Sequence, residues 1–133
     1  MNAKSIKVKD LMNRDVKFID KNTSIISAGK QMIDERVSSF IIKPDNQLDA
    51  FGIITRKDVV EALINTDIGN ISILVKDVMT KPTLTIDPEL SIYICHKMML
   101  MVGVRRLPVV EGNKLLGIIS NSDLLKNIVS GDI

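Results

Sequence analysis

The chain has 133 residues, 45% apolar and 26% charged, enough to close one hydrophobic core of ordinary composition. Tryptophan is absent and aromatics make up 3%, so the core has to be built from Ile, Leu, Val and Met, and the stacking platforms used by single-strand binders are lacking. A net charge of +2 is too small to make nucleic acid or an anionic membrane the default partner.

The opening MNAKSIKVKD lacks the apolar centre of a secretory signal, and ISILV (Ile71 to Val75) is far shorter than the roughly 18 apolar residues of a membrane span. The one cysteine, Cys95, has no partner for an internal disulfide, which fits a reducing cytoplasm. Composition therefore implies a soluble cytoplasmic domain with no membrane partner.

In chain order, VKDLM (from Val8) comes first and returns as VKDVM (from Val75). In that register Asp20 meets Asp87, Ser24-Ile25 meets Ser91-Ile92, and Met32 meets Met99. An extended stretch (Val16 to Ile19; Leu84 to Ile86) leads into a capped helix in each half. The first helix sets Ile25, Ala28, Gly29, Met32 and Ile33 on one face, and the second sets Ile92, Cys95, Met99 and Val102 there. Two strands follow, SFIIK and AFGII, then RLPVV and LLGII, separated by the turn sequences PDNQ and EGNK. Two extra residues around Gln47 and Leu48 shift the register before the closing phrases GIITRKD and GIISNSD, each of which opens a last helix. The unit is β-α-β-β-α and roughly 60 residues long, marginal in size alone. Two copies packed through their sheets would form one α+β domain with approximate two-fold symmetry. The repeats fall at 8–65 and 75–130, with 66–74 as linker.

The closing phrases invite two readings. Ser or Thr followed three residues later by an acid is a variant of the capping box, so Thr55 and Ser120 can cap helices with Asp58 and Asp123 in the first turn. The same place suits a nucleotide: amides at a helix start attract phosphate, and a carboxylate one turn in can accept from ribose hydroxyls. The glycine permits close backbone approach, and the carboxylate retained in both copies argues for more than capping. Arg105 and Arg106 could serve phosphate, or could simply be two exposed arginines. The run CHKMMLMV reads as flexible core filling, and His96 without nearby ligands makes a poor metal site.

The doubled unit, the VKDVM phrase, the VGVRRLPVV strand and the paired closings resemble a tandem pair of cystathionine-β-synthase-type (CBS) domains, a Bateman module, over residues 8 to 130. The resemblance implies two clefts between the repeats that take AMP, ADP, ATP or S-adenosylmethionine as a regulatory ligand, with no required cofactor, and association of modules into a disk-shaped homodimer. The main cleft would use Asp123 for ribose, with Ser120, Ser122 and Ile118 beside it. Its other wall would come from Thr23, Ala28 and the stretch Val37, Ser38 and Ser39, which is similar to the adenine-proximal strand of gamma subunits of the AMP-activated kinase. Arg105 falls where such proteins often place a basic phosphate ligand. The second cleft would use Thr55, Lys57 and Asp58, walled by Val104 and Arg106, but Leu90 replaces Thr23 there. The cleft of Ser120 and Asp123 is therefore the expected nucleotide site.

Three functions follow. A ligand sensor acting on a protein partner in trans leads; a ligand-free association module is the alternative. Catalysis has no basis in the residues, for the chain lacks GxxxxGK, HExxH and CxxC, and one histidine supports no Ser-His-Asp set.

Overall fold

The computed structural model describes residues 2–67 and 72–131. Residues 68–71, which include Ile71 of ISILV and part of the expected linker, lie outside the described residues. The chain divides into a contiguous unit, Lys17–Thr83, and a split unit that joins Met1–Val16 to Leu84–Ile133.

The contiguous unit contains α2 (Ile25–Glu35), β1 (Ser39–Ile42), β2 (Gly52–Thr55), α3 (Arg56–Ile64) and α4 (Val75–Val78). Strands β1 and β2 pair antiparallel with Ser39 opposite Thr55 and Ile42 opposite Gly52. A parallel bridge from Phe18 to Ile41 extends the sheet on one side, and an antiparallel bridge from Thr80 to Ile53 extends it on the other. In the split unit, α1 (Val8–Leu11) belongs with α5 (Ile92–Val102), β3 (Arg106–Glu111), β4 (Lys114–Ser120) and α6 (Asn121–Ser130). There Arg106 faces Ser120, Ile86 bridges Val109 in parallel, and Asn13 bridges Ile118 antiparallel. The expected leading strands are thus reduced to single bridges at Phe18 and Ile86.

The compact units and the sequence repeats divide the chain differently. Each VKD-x-M lead-in packs in the unit built from the other repeat: Val75 lies in the core with Ile25 and Phe40, and Val8 lies in the core with Ile92 and Leu107. Both valines are fully buried. The aspartate retained in the phrase accepts from the backbone at the start of the short helix, Asp10 from the Lys7 N–H at 3.2 Å and Asp77 from the Leu74 N–H at 2.9 Å. The lead-ins are then hydrogen-bonded along their hosts: Val8 N–H to Leu90 O at 2.8 Å in one unit, Val75 N–H to Thr23 O at 2.8 Å in the other.

The two cores match position by position. Ile25, Ala28, Met32, Phe40, Ile54 and Val59 in one unit correspond to Ile92, Cys95, Met99, Leu107, Ile119 and Leu124 in the other. Each fully buried large aliphatic side chain contributes about 1.5–3 kcal/mol relative to exposure. No buried side-chain N or O lacks a hydrogen-bond partner among the described residues.

Helices α2 and α5 start as expected, with Ser24 accepting from the Ser27 N–H and Ser91 from the Ile94 N–H. Their covered faces are narrower than the periodicity suggests. Ile33 is 72% exposed and Val102 is 54% exposed, so neither belongs to the core stripe. Core contact runs along Ile25, Ala28 and Met32 and along Ile92, Cys95 and Met99; Ile33 sits beside that line and Val102 occupies the last turn. Core filling by the methionine run is likewise confined to Met99, with Met98 packed against it, while Met101 is 85% exposed.

Candidate functional site

Both closing phrases fold into the same strand-to-helix junction. In the split unit the Ser120 N–H donates to Asp123 Oδ2 at 2.9 Å, the Asp123 N–H donates to Ser120 Oγ at 3.2 Å, and the Ser120 hydroxyl donates to the same Oδ2 at 2.9 Å. In the contiguous unit the Thr55 N–H donates to Asp58 Oδ2 at 2.8 Å and the Asp58 N–H donates to Thr55 Oγ1 at 3.3 Å. Each is a complete reciprocal box, in which two otherwise unpaired backbone donors are satisfied. Capping therefore explains the aspartates as well as the hydroxyls. Only Oδ2 of each carboxylate is used, and Oδ1 has no hydrogen bond among the described residues.

The glycines have a different cause from the expected ligand approach. A Cβ at Gly117 would lie 2.6 Å from Asn13 O, and one at Gly52 would lie 3.3 Å from Met79 Sδ and from Lys81 Cβ. The close neighbour is the lead-in of the other repeat, seated on the strand.

The expected site residues are distributed over both units. Thr23, Val37, Ser38 and Ser39 share the contiguous unit with Thr55, Lys57 and Asp58; Val104, Arg105 and Arg106 share the split unit with Ile118, Ser120, Ser122 and Asp123. Within a unit, residues expected for different clefts become neighbours. Ser39 pairs with Thr55 and the Arg56 N–H donates to Ser38 O at 3.0 Å; Arg106 pairs with Ser120 and the Asn121 N–H donates to Arg105 O at 2.9 Å. Arg105 is exposed and precedes β3, and Arg106 is half-buried. Thr23 is half-buried, and its carbonyl is taken by the Val75 N–H. Ala28 is fully buried among Ile25, Met32 and Phe40, so its side chain serves the core. Lys57 is exposed on α3, 3.9 Å from Glu61.

One residue the sequence reading passed over is Arg56. Its Nε donates to Val37 O at 3.0 Å and its Nη2 to Met32 O at 3.4 Å, where α2 turns toward β1. A hollow of ≈350 Å³ lies at the far end of β1, lined by Phe18, Lys21, Ile42, Lys43 and Asp45 among others, and includes none of the expected site residues. Its lysines are engaged: Lys21 pairs with Asp45 at 2.8 Å and Lys43 stands over the Phe18 ring at 4.5 Å. Among the described residues no group of His, Cys, Asp and Glu could hold a metal ion, and no helix is long and apolar enough to cross a membrane.

Paired strand-to-helix junctions on two matching units define a tandem-repeat module, and the CBS domain family model matches residues 8–65 and 75–130. The chain belongs to the CBS domain family and carries two copies of the domain. An uncharacterised protein of Methanopyrus kandleri is 27% identical over 92% of the chain, which spans 63% of that relative. Inosine-5′-monophosphate dehydrogenase of Korarchaeum cryptofilum is 32% identical over 92% of the chain, which spans only 24% of the enzyme. Among solved structures, a hexameric CBS-CP12 protein from bloom-forming cyanobacteria is 28% identical with a TM-score of 0.86, covering 93% of this chain and 70% of its own. The CBS domain pair of protein MJ0100, solved with 5′-methylthioadenosine and S-adenosyl-L-methionine, shares the fold with a TM-score of 0.78 at 22% identity, covering 96% of this chain and 98% of its own.

Proposed function

We propose that the chain is a regulatory module that binds an adenosine-containing small molecule, of the AMP, ADP, ATP or S-adenosylmethionine type, and passes a change of shape or association to a protein partner. The observation that carries this reading is the carboxylate of Asp123, held rigidly by its cap through Oδ2 while Oδ1 stays available to a ribose hydroxyl. Of the residues expected for the main cleft, Ser120, Asp123, Ser122, Ile118 and Arg105 fall in one unit and carry the leading site. Thr55, Lys57 and Asp58 carry the second site in the other unit. That the MJ0100 pair was solved with two adenosine ligands supports the ligand class, because the fold is shared. A ligand shifts a module only through differential affinity for two states. Its action is placed in the cytoplasm and requires no catalytic step.

Isothermal titration of the purified chain with AMP, ATP and S-adenosylmethionine tests the reading. Saturable heat with a raised melting midpoint is expected. No heat and no thermal shift at millimolar ligand would sink it.

A second reading, association without ligand, is favoured by apolar side chains left exposed on α3 and α6: Ile64 at 70%, Leu125 at 62% and Val129 at 72%. We place a homodimer contact on these helices. Light scattering with and without nucleotide separates the readings, since a pure association module keeps one mass in both.

A further inference from the structure

The duplicated unit supplies its own comparison. Helices α2 and α5 each run 11 residues from a serine cap, and each ends at a left-handed residue, Arg36 with φ 56 and Gly103 with φ 74. Position by position they share a core line, Ile25, Ala28 and Met32 against Ile92, Cys95 and Met99. Beside that line they differ along one whole stripe. Where α2 carries Ser27, Gln31, Asp34 and Glu35, α5 carries Ile94, Met98, Met101 and Val102. Spacing of i, i+4, i+7 and i+8 keeps the four on one side of the helix. Packing within the unit does not account for the change, for Met98 is half-buried but Ile94, Met101 and Val102 are exposed. The stripe itself carries no charge, and Lys97 beside it lies over the Tyr93 ring, 5.0 Å from its centre.

We propose that this stripe is covered by the same stripe of a second copy, so that two chains associate split unit to split unit through α5. The inference rests on the association reading and names which faces meet. Charge decides the occupant. Setting α5 against α2 of a second copy would bring Met101 and Val102 onto the Asp34 and Glu35 carboxylates, which would lose water without gaining a partner. Setting α5 against α5 opposes apolar to apolar. A two-fold contact uses one patch twice, so an apolar stripe on one unit only is what such a contact needs. The unbranched methionines adapt their shape to the facing helix. A stable interface takes about 800 Å² from each partner, more than one stripe presents. Leu125 and Ile128, exposed on α6, add apolar surface from the same unit.

Sedimentation velocity of the full chain without nucleotide tests this in wild type, I94D/M101D and I94K/M101K. Wild type is expected to be a dimer. Each double variant alone should dissociate at least about a hundredfold more readily, because its charges would be buried without partners. An equimolar mixture of the two should recover a dimer, since opposite charges then face each other in whichever direction the helices cross. M101D alone, at an exposed position, serves where a double variant fails to fold, and should also weaken the dimer. A dimer that survives I94D/M101D overturns the α5 contact and leaves association through α3 and α6 standing. A mixture that stays monomeric, or recovery of I94D/M101D only by D34K/E35K, overturns the pairing of like units. A wild-type chain that stays monomeric overturns the inference and the association reading together, and leaves the stripe to a different protein.

Discussion

A Cβ placed on Gly117 would lie 2.6 Å from the carbonyl oxygen of Asn13, closer than side chains approach backbone. The same Asn13 carbonyl accepts from the Ile118 N–H at 2.9 Å, and the Asn13 N–H donates to Ile118 O at 2.8 Å. The glycine is therefore required by the pairing of the lead-in with β4. Gly117→Ala should destabilise the chain by about 1–3 kcal/mol as the pair is forced apart. Gly52→Ala should cost less, because its nearest neighbours are side-chain atoms at 3.3 Å. Urea denaturation of the two variants side by side checks the order.

Asp58 and Asp123 make matching reciprocal caps, with one further bond to Asp123 from the Ser120 hydroxyl, so replacing either by Ala should cost about 0.5–2 kcal/mol, Asp123 the more. Their effects on ligand should differ. With the leading site at Ser120 and Asp123, Asp123→Ala should weaken AMP at least about tenfold, as expected for loss of hydrogen bonds to a charged group, and Asp58→Ala should leave that affinity within about twofold. Melting midpoints and titrations on the matched pair separate the cap from the ribose contact; equal affinity losses would reject the assignment of one leading site.

Glu89 receives both lysines of the first lead-in, Lys7 on Oε2 and Lys9 on Oε1, each at 2.7 Å. Hydrogen bonds from Lys7 and then Lys9 hold its carboxyl down to about 2, against an ordinary value of 4.5. The lowered value means that the stabilisation is fully present above about pH 4.5 and fades as pH falls toward about 2. The groups are solvent-exposed, so salt should also weaken them. Glu89→Gln should thus be less stable than wild type at pH 7 in low salt, and the two proteins should converge at pH 2 or in molar salt. Urea midpoints across pH give the comparison; a constant gap would refute the role of the lysine pair.

Cys95 is fully buried beside Ile92 and Met99, and burial pushes its thiol up to about 11. It should be inert toward a thiol reagent in the native protein at pH 8 and react promptly once unfolded in urea. Rapid labelling of the folded protein would contradict this packing.

The repeat register made much of the fold legible, because buried positions recur in both halves: Ile25 with Ile92, Met32 with Met99, Phe40 with Leu107. The caps at Ser24, Thr55, Ser91 and Ser120 were legible as well, since a cap is a local bond within three or four residues. Periodicity overstated the buried face at Ile33 and Val102, because it reports direction around a helix and not how far the sheet extends beneath it. The reason for Gly52 and Gly117 was hidden, since it lies in segments far away in sequence. Arg56 was hidden for the same cause: its bonds reach Met32 and Val37, and only the mismatch between Arg36 and Gly103 hinted that one turn needed support.

The crossed seating of the two lead-ins bears on how the duplicated halves can drift apart. Met12 and Asn13 face Gly117 in one unit, while Met79 and Lys81 face Gly52 in the other. Compensating changes should therefore pair residue 12 or 13 with residue 117, and residue 79 or 81 with residue 52, coupling each copy to its twin. Neither half could be traded for a homologous one as a self-sufficient cassette, because it would leave behind the lead-in that its former neighbour had come to fit.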